Sequence, residues 1–586
     1  MQIIETDIAI VGGGGAGLSA AIEIAQSSPD LNIALISKVY PMRSHTVAAE
    51  GGAAGVIKPD DKVDLHFYDT VAGGDWLSDQ DVVEFFVKQA PKSLAKLERL
   101  GCPWARKKDG SINVRRFGGM QVERTWFAAD KTGFHLLHTL FQASLQFNQI
   151  HRLDEHFLLD LLVNDDQITG LVVLNMLEGT LTQINAKVVI MATGGAGRVY
   201  QYNTNGSIVT GEGMAIAYRH GIALRDMEFV QYHPTGLPGS GILMTEACRG
   251  EGGVLVNKDG YRYLQDYALG PETPLGLPRN RFMELGPRDR LSQAFWHESQ
   301  KGNTHSTAYG DVVYLDLRHL GAAKINQRLP FIRELAKSYV GIDPVFEKIP
   351  VRPTAHYTMG GIATDKYCAT LLRGLYAVGE CASVGLHGAN RLGSNSLSEI
   401  LVFGELAAKQ AIQYVNQHSV TYQYNQQMAK QIELQLYSVI HHDGCENWAN
   451  IRAEMAMAMD LGCGVYRSEQ GMQQTINKIS ELIERSAHIA LADKSHVFNT
   501  ELITVLELKQ SLLVAQAMVC SAILRKESRG AHQRLEPLYQ QRDDEHYLKH
   551  SLAFYSADAL PKIEFSQVNI TKCSPADRTY GENKGH

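Results

Sequence analysis

The chain has no close pair of cysteines. Its eight, at 102, 248, 368, 381, 445, 463, 520 and 573, are scattered without a Cys-x-x-Cys unit. The sequence therefore shows neither a zinc site nor an iron-sulfur cluster, and the thiols read as reduced. If electrons pass through clusters, another chain supplies them. No apolar run reaches the roughly 18 residues of a membrane-crossing helix. The nearest, Leu502 to Leu524, is interrupted by Glu507, Lys509 and Gln510 and reads as a buried helix. Long basic runs are missing too, and the formal charge is −7, which disfavours a nucleic-acid partner on electrostatic grounds. An apolar strand begins almost at Met1, leaving no room for a leader, so cytosolic residence is the expectation. Internal repeats and low-complexity segments are absent. What remains is 586 residues, 44% hydrophobic and 20% charged, an ordinary globular composition long enough for several domains.

The first motif is a nucleotide fingerprint in the right context. An apolar strand from Ile4 to Val11 runs into Gly12-Gly13-Gly14-Gly15-Ala16-Gly17, with a helical segment behind it. Gly12 allows the tight turn, Gly14 lets a pyrophosphate approach, and Gly17 lets helix and strand pack, while the helix N-terminus offers free N–H groups. A second strand, Asn32 to Ile36, ends in Ser37-Lys38 where a ribose-binding acid is the general rule. Then comes Arg43-Ser44-His45-Thr46-Val47-Ala48-Ala49-Glu50-Gly51-Gly52. It reads as a loop with His45 beside the hydroxyls of Ser44 and Thr46, and with glycines that let backbone approach a flat ring.

This segment resembles the covalent-flavin segment of the fumarate reductase and succinate dehydrogenase flavoprotein family, in which that histidine carries FAD. The resemblance extends over nearly the whole chain. Short strands at Phe157 to Val163, Ile168 to Asn175 and Thr180 to Ala186 read as a small antiparallel insert. A buried strand from Val188 then ends in Thr193-Gly194-Gly195. Glu212 stands at a helix start where the family usually has Asp. Gln231-Tyr232-His233-Pro234-Thr235-Gly236 sets a histidine before proline, in extended backbone. Thr245-Glu246-Ala247-Cys248-Arg249-Gly250 spaces an acid and a guanidinium three apart, and Gly286-Pro287-Arg288-Asp289 puts another arginine on a turn. Downstream are His356-Tyr357, a strand ending at Glu380, and Gly385 to Leu397 with Arg391 near a helix N-terminus. Arg115-Arg116-Phe117-Gly118-Gly119 is a further candidate lining for an anion. After about Asn416, apolar stripes at helical spacing (Met428, Ile432, Leu436; Met472, Ile476, Ile479, Ile483; Val505, Leu508, Leu512, Ala515, Val519) predict a helical bundle.

The expected fold is α/β: a Rossmann-like FAD-binding domain (1–235 and 351–415) with an inserted α+β capping domain (236–350), then a helical bundle domain (416–545) and a small C-terminal domain (546–586). The resemblance implies FAD bonded to His45 and held by Gly12 to Gly17, Ser37, Lys38, Ser44, Thr46, Glu50, Gly51, Gly52, His156, Phe157, Thr193, Gly194, Glu212, Tyr357, Glu380, Arg391, Ser396 and Leu397. His233, Thr245, His356 and Arg391 would grip the carboxylates of fumarate or succinate, with Phe117 and Gly118 as a wall. Arg288 would donate the proton, and Glu246 and Arg249 would refill it. The implied activity is reversible reduction of fumarate to succinate by hydride from covalent FAD in anaerobic respiration. Electrons would come from quinol through an iron-sulfur subunit, on membrane anchor subunits at the cytoplasmic face of a bacterial inner membrane. Glu50, where succinate dehydrogenases commonly carry Gln, leans the reading towards fumarate reduction by placing a carboxylate beside the flavin. Alternatives are succinate dehydrogenase working oxidatively, L-aspartate oxidase, which holds FAD without a covalent link, and a non-catalytic flavoprotein scaffold.

Overall fold

Strand Gln2–Val11 is buried from Thr6 onward, as expected of a parallel strand covered on both faces. It pairs in parallel with Ile33–Ser37 on one side and Thr180–Met191 on the other. Ile150–Asp154 extends the sheet beyond Ile33–Ser37, and Leu375–Ala377 joins Thr180–Met191. The register sets Val11 opposite both Ile36 and Met191, and Met191 opposite Ala377. Four strands therefore end together, and their following segments open onto one crevice. The computed structural model describes residues 1–417 and 422–580. Positions 418–421 of the expected helical domain and 581–586 of the expected C-terminal domain lie outside the described residues.

Three expectations are corrected. The strand ending at Ala186 and the one starting at Val188 are a single strand, Thr180–Met191. Its first half pairs antiparallel with Gln167–Asn175 and its second half in parallel with Leu375–Ala377, so the antiparallel strands continue the main sheet. Lys187 does not interrupt it because its ammonium reaches Asp7 at 2.7 Å. Arg288 is not on a turn; it opens the helix Arg288–Gln300, which Pro287 enters at φ −64°. His45 opens a 3-10 turn, His45–Ala48, rather than an irregular loop.

Val230–Gly236 and Ile349–Thr358 pair antiparallel, and their sheet continues through Gly310–Asp316 to Val254–Val256. With helices Gly321–Arg328 and Pro330–Val340, this part has its own core, including Leu237, Met244, Leu255, Leu315 and Ile332. The strands leading into and out of it carry His233 and His356.

Beyond the helix Asn395–Gln417 come Gln426–His441, Trp448–Gly462, Glu469–Ser486 and Thr500–Leu524. Leu436, Met472, Ile476, Ile479, Val505, Leu508 and Leu512 share one core with sheet residues such as Ile184. Met455 and Met459 are buried but Met457 is exposed, because positions two apart fall on different helix faces. Among the described residues, Thr500–Leu524 alone is long and apolar enough to cross a membrane by length and composition. Its Val514, Ala515 and Ala517 are fully buried in that core.

The hairpin of Lys549–Phe554 and Lys562–Gln567 adds to the strand Leu224–Arg225, so the end of the chain completes a sheet begun in its first half. Buried ions reinforce the seam: Arg525 reaches Glu228 at 2.6 Å and Glu527 at 2.9 Å, and Arg529 reaches Glu527 at 2.7 Å. His550 sits between Asp226 at 2.7 Å and Asp79 at 3.3 Å. Burial opposes its charge, but the two aspartates push the imidazole up to about 9. A raised folded-state pKa stabilises fully below the unfolded value of about 6.5 and is lost as pH rises through the folded value. The His550→Gln variant should therefore lose about 3 kcal/mol near pH 6, and the gap in thermal midpoint should close as pH passes 9. A gap independent of pH between 6 and 9.5 would show that the aspartate clasp is not the source.

Candidate active site

Of the residues singled out in the sequence for cofactor or substrate, all but Gly17, Gly118 and Arg249 line one cleft. The excluded residues stand behind its wall. A Cβ at Gly17 would lie 1.9 Å from the Gly12 carbonyl oxygen, so this glycine serves helix-strand packing. The Gly118 amide and Arg249 both contact Glu246 from the far side.

The fingerprint end is a cradle of backbone. Gly12 holds φ +122°, with a Cβ position only 2.1 Å from the Ala192 carbonyl oxygen. The Gly15 amide, at the helix N-terminus, donates to Thr46 Oγ1 at 3.1 Å and so ties the His45 turn to the fingerprint. Lys38 lies 2.5 Å from Glu212 and 2.7 Å from Glu507. Against the effect of burial, these carboxylates raise its pKa. This explains an interruption of the apolar 502–524 run: Glu507 leaves its helix face to reach the cleft lysine.

At the middle of the cleft, burial holds the His45 imidazole down to about 4, so it is neutral, and Nδ1 accepts the Gly206 amide at 3.3 Å. Burial first, and then Asp130, push Glu50 well above the usual carboxyl range. Its surroundings therefore disfavour the negative charge that the sequence suggested, with Arg115 and Lys131 working in the other direction. Arg115 is also not an anion-site lining: it donates to the Gly51 carbonyl at 2.6 Å and stacks on Phe127, while Arg116 pairs with Glu123. The arginine thus fastens the glycine pair from behind.

Side chains converge at the other end. His233 and His356, on neighbouring strands, have ring centroids 5.1 Å apart. Arg288 donates from Nε to Glu246 at 2.7 Å and from Nη1 to Gln231 Oε1 at 2.9 Å. Arg391 donates to the same Gln231 oxygen at 3.1 Å, and its guanidinium lies 4.1 Å from the centroid of the Tyr357 ring. Burial and then Arg288 hold both histidines well below their ordinary value, so both are neutral at pH 7. Burial and then Arg288 hold Arg391 down to about 10, still a cation. Glu246 is kept ionised, against burial, by Arg249 and Arg288. Two cations with hydrogen-bonding rings around them suit a dianion.

Gln231 carries no assigned role in the sequence reading. The signal was available: it stands two residues before His233 on one strand, hence on the same face. Thr204, whose hydroxyl meets His356 Nδ1 at 2.7 Å, carried no such signal, because it lies in a loop 152 positions away.

The cleft fits a flavin dinucleotide on several counts. The glycine cradle faces a helix N-terminus, and Ser44 Oγ, Thr193 Oγ1 and Glu50 Oε2 are buried with no hydrogen-bond partner. Glu380, pushed up to about 7 by burial, does not end a strand as expected: Leu375–Ala377 stops three residues earlier, and Glu380 sits in the 3-10 turn Gly379–Cys381 on the cleft wall.

The chain matches the FAD binding domain family over residues 7–397 and the fumarate reductase flavoprotein C-terminal family over residues 452–580. The fumarate reductase flavoprotein subunit of Escherichia coli K12 is 64% identical over 587 residues, with 99% of this chain and 97% of the relative covered. A solved quinol-fumarate reductase structure with menaquinol molecules superposes with a TM-score of 0.96 at 64% identity, covering 98% of this chain and 100% of the other. The succinate dehydrogenase flavoprotein subunit of Rickettsia felis is 39% identical, with 98% of each chain covered. A crevice at the ends of parallel strands, a fingerprint of glycines and these full-length likenesses agree: the chain belongs to the fumarate reductase and succinate dehydrogenase flavoprotein family.

Proposed function

We propose that this protein is the catalytic flavoprotein subunit of a fumarate reductase, reducing fumarate to succinate with electrons from quinol. The observation that carries the reading is the convergence of Arg288, Arg391, His233 and His356 at one end of a cleft whose other end is a nucleotide cradle. The 64% identity to a fumarate reductase subunit, against 39% to a succinate dehydrogenase subunit, supports this direction over the oxidative one.

Bound FAD, tethered to His45 and cradled by Gly12 to Ala16, Ser44, Thr46 and Thr193, would supply a hydride to one alkene carbon. His356 and Arg391 bind one carboxylate, where negative charge grows during reduction, and their fixed positions avoid reorganisation cost. His233 and Thr245 hold the other carboxylate. Placing a dianion between the histidines raises their proton affinity, which favours the charged imidazolium, with a donor on both ring nitrogens, when substrate enters. Arg288 Nη2, the guanidinium nitrogen with no hydrogen bond among the described residues, gives the proton to the second carbon. Glu246, 2.7 Å from Arg288 Nε, returns it, and Arg249, buried 3.5 Å behind Glu246, is the next group in line for refilling it. Phe117 closes the cleft against water, with Gly118 behind it holding Glu246.

Without a cluster motif of its own, the subunit would pass electrons through an iron-sulfur subunit. The solved quinol-fumarate reductase likeness supports a peripheral place in a membrane-associated complex, with anchor subunits handling quinone at the cytoplasmic face of a bacterial inner membrane. L-Aspartate oxidase is disfavoured by His45 in its covalent-flavin context, and a scaffold would not need the two arginines and two histidines together.

The His45 tether is read from a denaturing gel of the acid-treated protein: the band should fluoresce as flavin, and His45→Ser should leave the band dark. Fluorescence retained in His45→Ser would place the tether elsewhere. Arg288→Gln should lower fumarate turnover by at least about 10²–10⁴-fold while fumarate still perturbs the flavin absorbance; substantial turnover in this variant would remove Arg288 as proton donor. With matched artificial dyes, fumarate reduction should outrun succinate oxidation, and the reverse ratio would favour the dehydrogenase.

A further inference from the structure

Arg391 is charged and buried, yet no carboxylate lies within ion-pair distance of it among the described residues. Its partners are the neutral Gln231 oxygen and the face of Tyr357. Behind that ring stands a buried acid that does not reach the cleft. Glu399 Oε2 accepts the Tyr357 hydroxyl at 2.7 Å and meets His387 Nε2 at 2.8 Å, while Tyr357 and His387 cross edge to face at 5.3 Å. His387 Nδ1 is buried with no partner, so Nε2 is the ring atom committed to this cluster.

We infer that Glu399, acting through Tyr357 and steadied by His387, is a positioning residue that keeps Arg391 charged and oriented for a substrate carboxylate. The inference rests on the proposed role of Arg391 in fumarate binding. A carboxylate touching Arg391 would neutralise it and compete with the substrate. One placed behind a phenol does neither. A tyrosine that donates to an anion gains electron density in its ring, and the ring face attracts the guanidinium more strongly. The second contact, from His387 to the same oxygen, stops Glu399 from swinging towards Arg391. The electrostatics agree: burial and Arg288 work against the Arg391 charge, and Tyr357, Glu380 and Glu399 work for it.

The test uses the assembled holoenzyme. Glu399→Gln keeps the shape and removes the charge. Its KM for fumarate should rise about three- to thirtyfold, the span of a desolvated cation–π contact, with flavin content unchanged and kcat within about twofold. Tyr357→Phe keeps the ring and removes the link, so KM should rise there too, and adding Glu399→Gln to it should raise KM by much less than Glu399→Gln does alone, because the acid acts chiefly through the hydroxyl. An unchanged KM in Glu399→Gln, or a double variant whose KM rise is the product of the single rises, would overturn the inference. If Glu399→Gln fails to retain flavin, Tyr357→Phe decides it alone by the presence or absence of the KM rise. Wild-type holoenzyme is assayed alongside: absence of fumarate reduction there overturns the proposed function and this inference together. Normal wild-type turnover with unaltered variants overturns only the inference.

Discussion

Keeping two guanidinium groups charged and close together out of water is the constraint on which the cleft depends. Arg288 and Arg391 share one acceptor, the Gln231 oxygen, and a neutral amide can serve both without cancelling either charge. Gln231 is itself immobilised, since its amide nitrogen donates to Asn390 Oδ1 at 2.8 Å and to the Arg391 carbonyl at 2.7 Å. Direct neutralisation is confined to the Arg288 side, where Glu246 stands between it and Arg249. The asymmetry matters chemically. The arginine proposed to give up a proton is linked to an acid that can restore it, and the one proposed to hold a carboxylate has no anion in contact among the described residues.

The surrounding architecture serves this arrangement. The histidines ride on the two strands that enter and leave the inserted part, so their spacing follows from strand pairing. Arg288 opens a helix of the inserted part, and Arg391 precedes the long helix that begins at Asn395. The last described residues reach back to the same place: Arg578 binds Asp289 at 2.8 Å and Asp75 at 3.2 Å, and Asp289 also accepts from Asn390 at 3.2 Å. The tail therefore clasps the neighbours of both arginines, which makes the end of the chain part of the support for the cleft.

Much of this was legible before any coordinates. The glycine fingerprint, the His45 segment and the motifs around His233, Glu246, Arg288, His356 and Arg391 are local, and their spacing along the chain is enough to quote them. The errors were of another kind. Lys187 looked like a strand boundary because its partner, Asp7, lies 180 positions away. Glu50 looked like a negative charge because burial and the proximity of Asp130 are invisible along the chain. Arg115 looked like an anion ligand because the glycine carbonyls that it holds are remote in sequence.

The sequence by itself determined the cradle, the family and the identities of the residues that face the cleft, because each depends on residue type within a short stretch. Only the tertiary structure decided which charges survive and what they touch. The raised proton affinity of Glu50, the neutrality of His45, His233 and His356, the bridging by Gln231 and the acid held behind Tyr357 all depend on desolvation and on contacts between distant segments. Those quantities exist only once the chain has closed on itself.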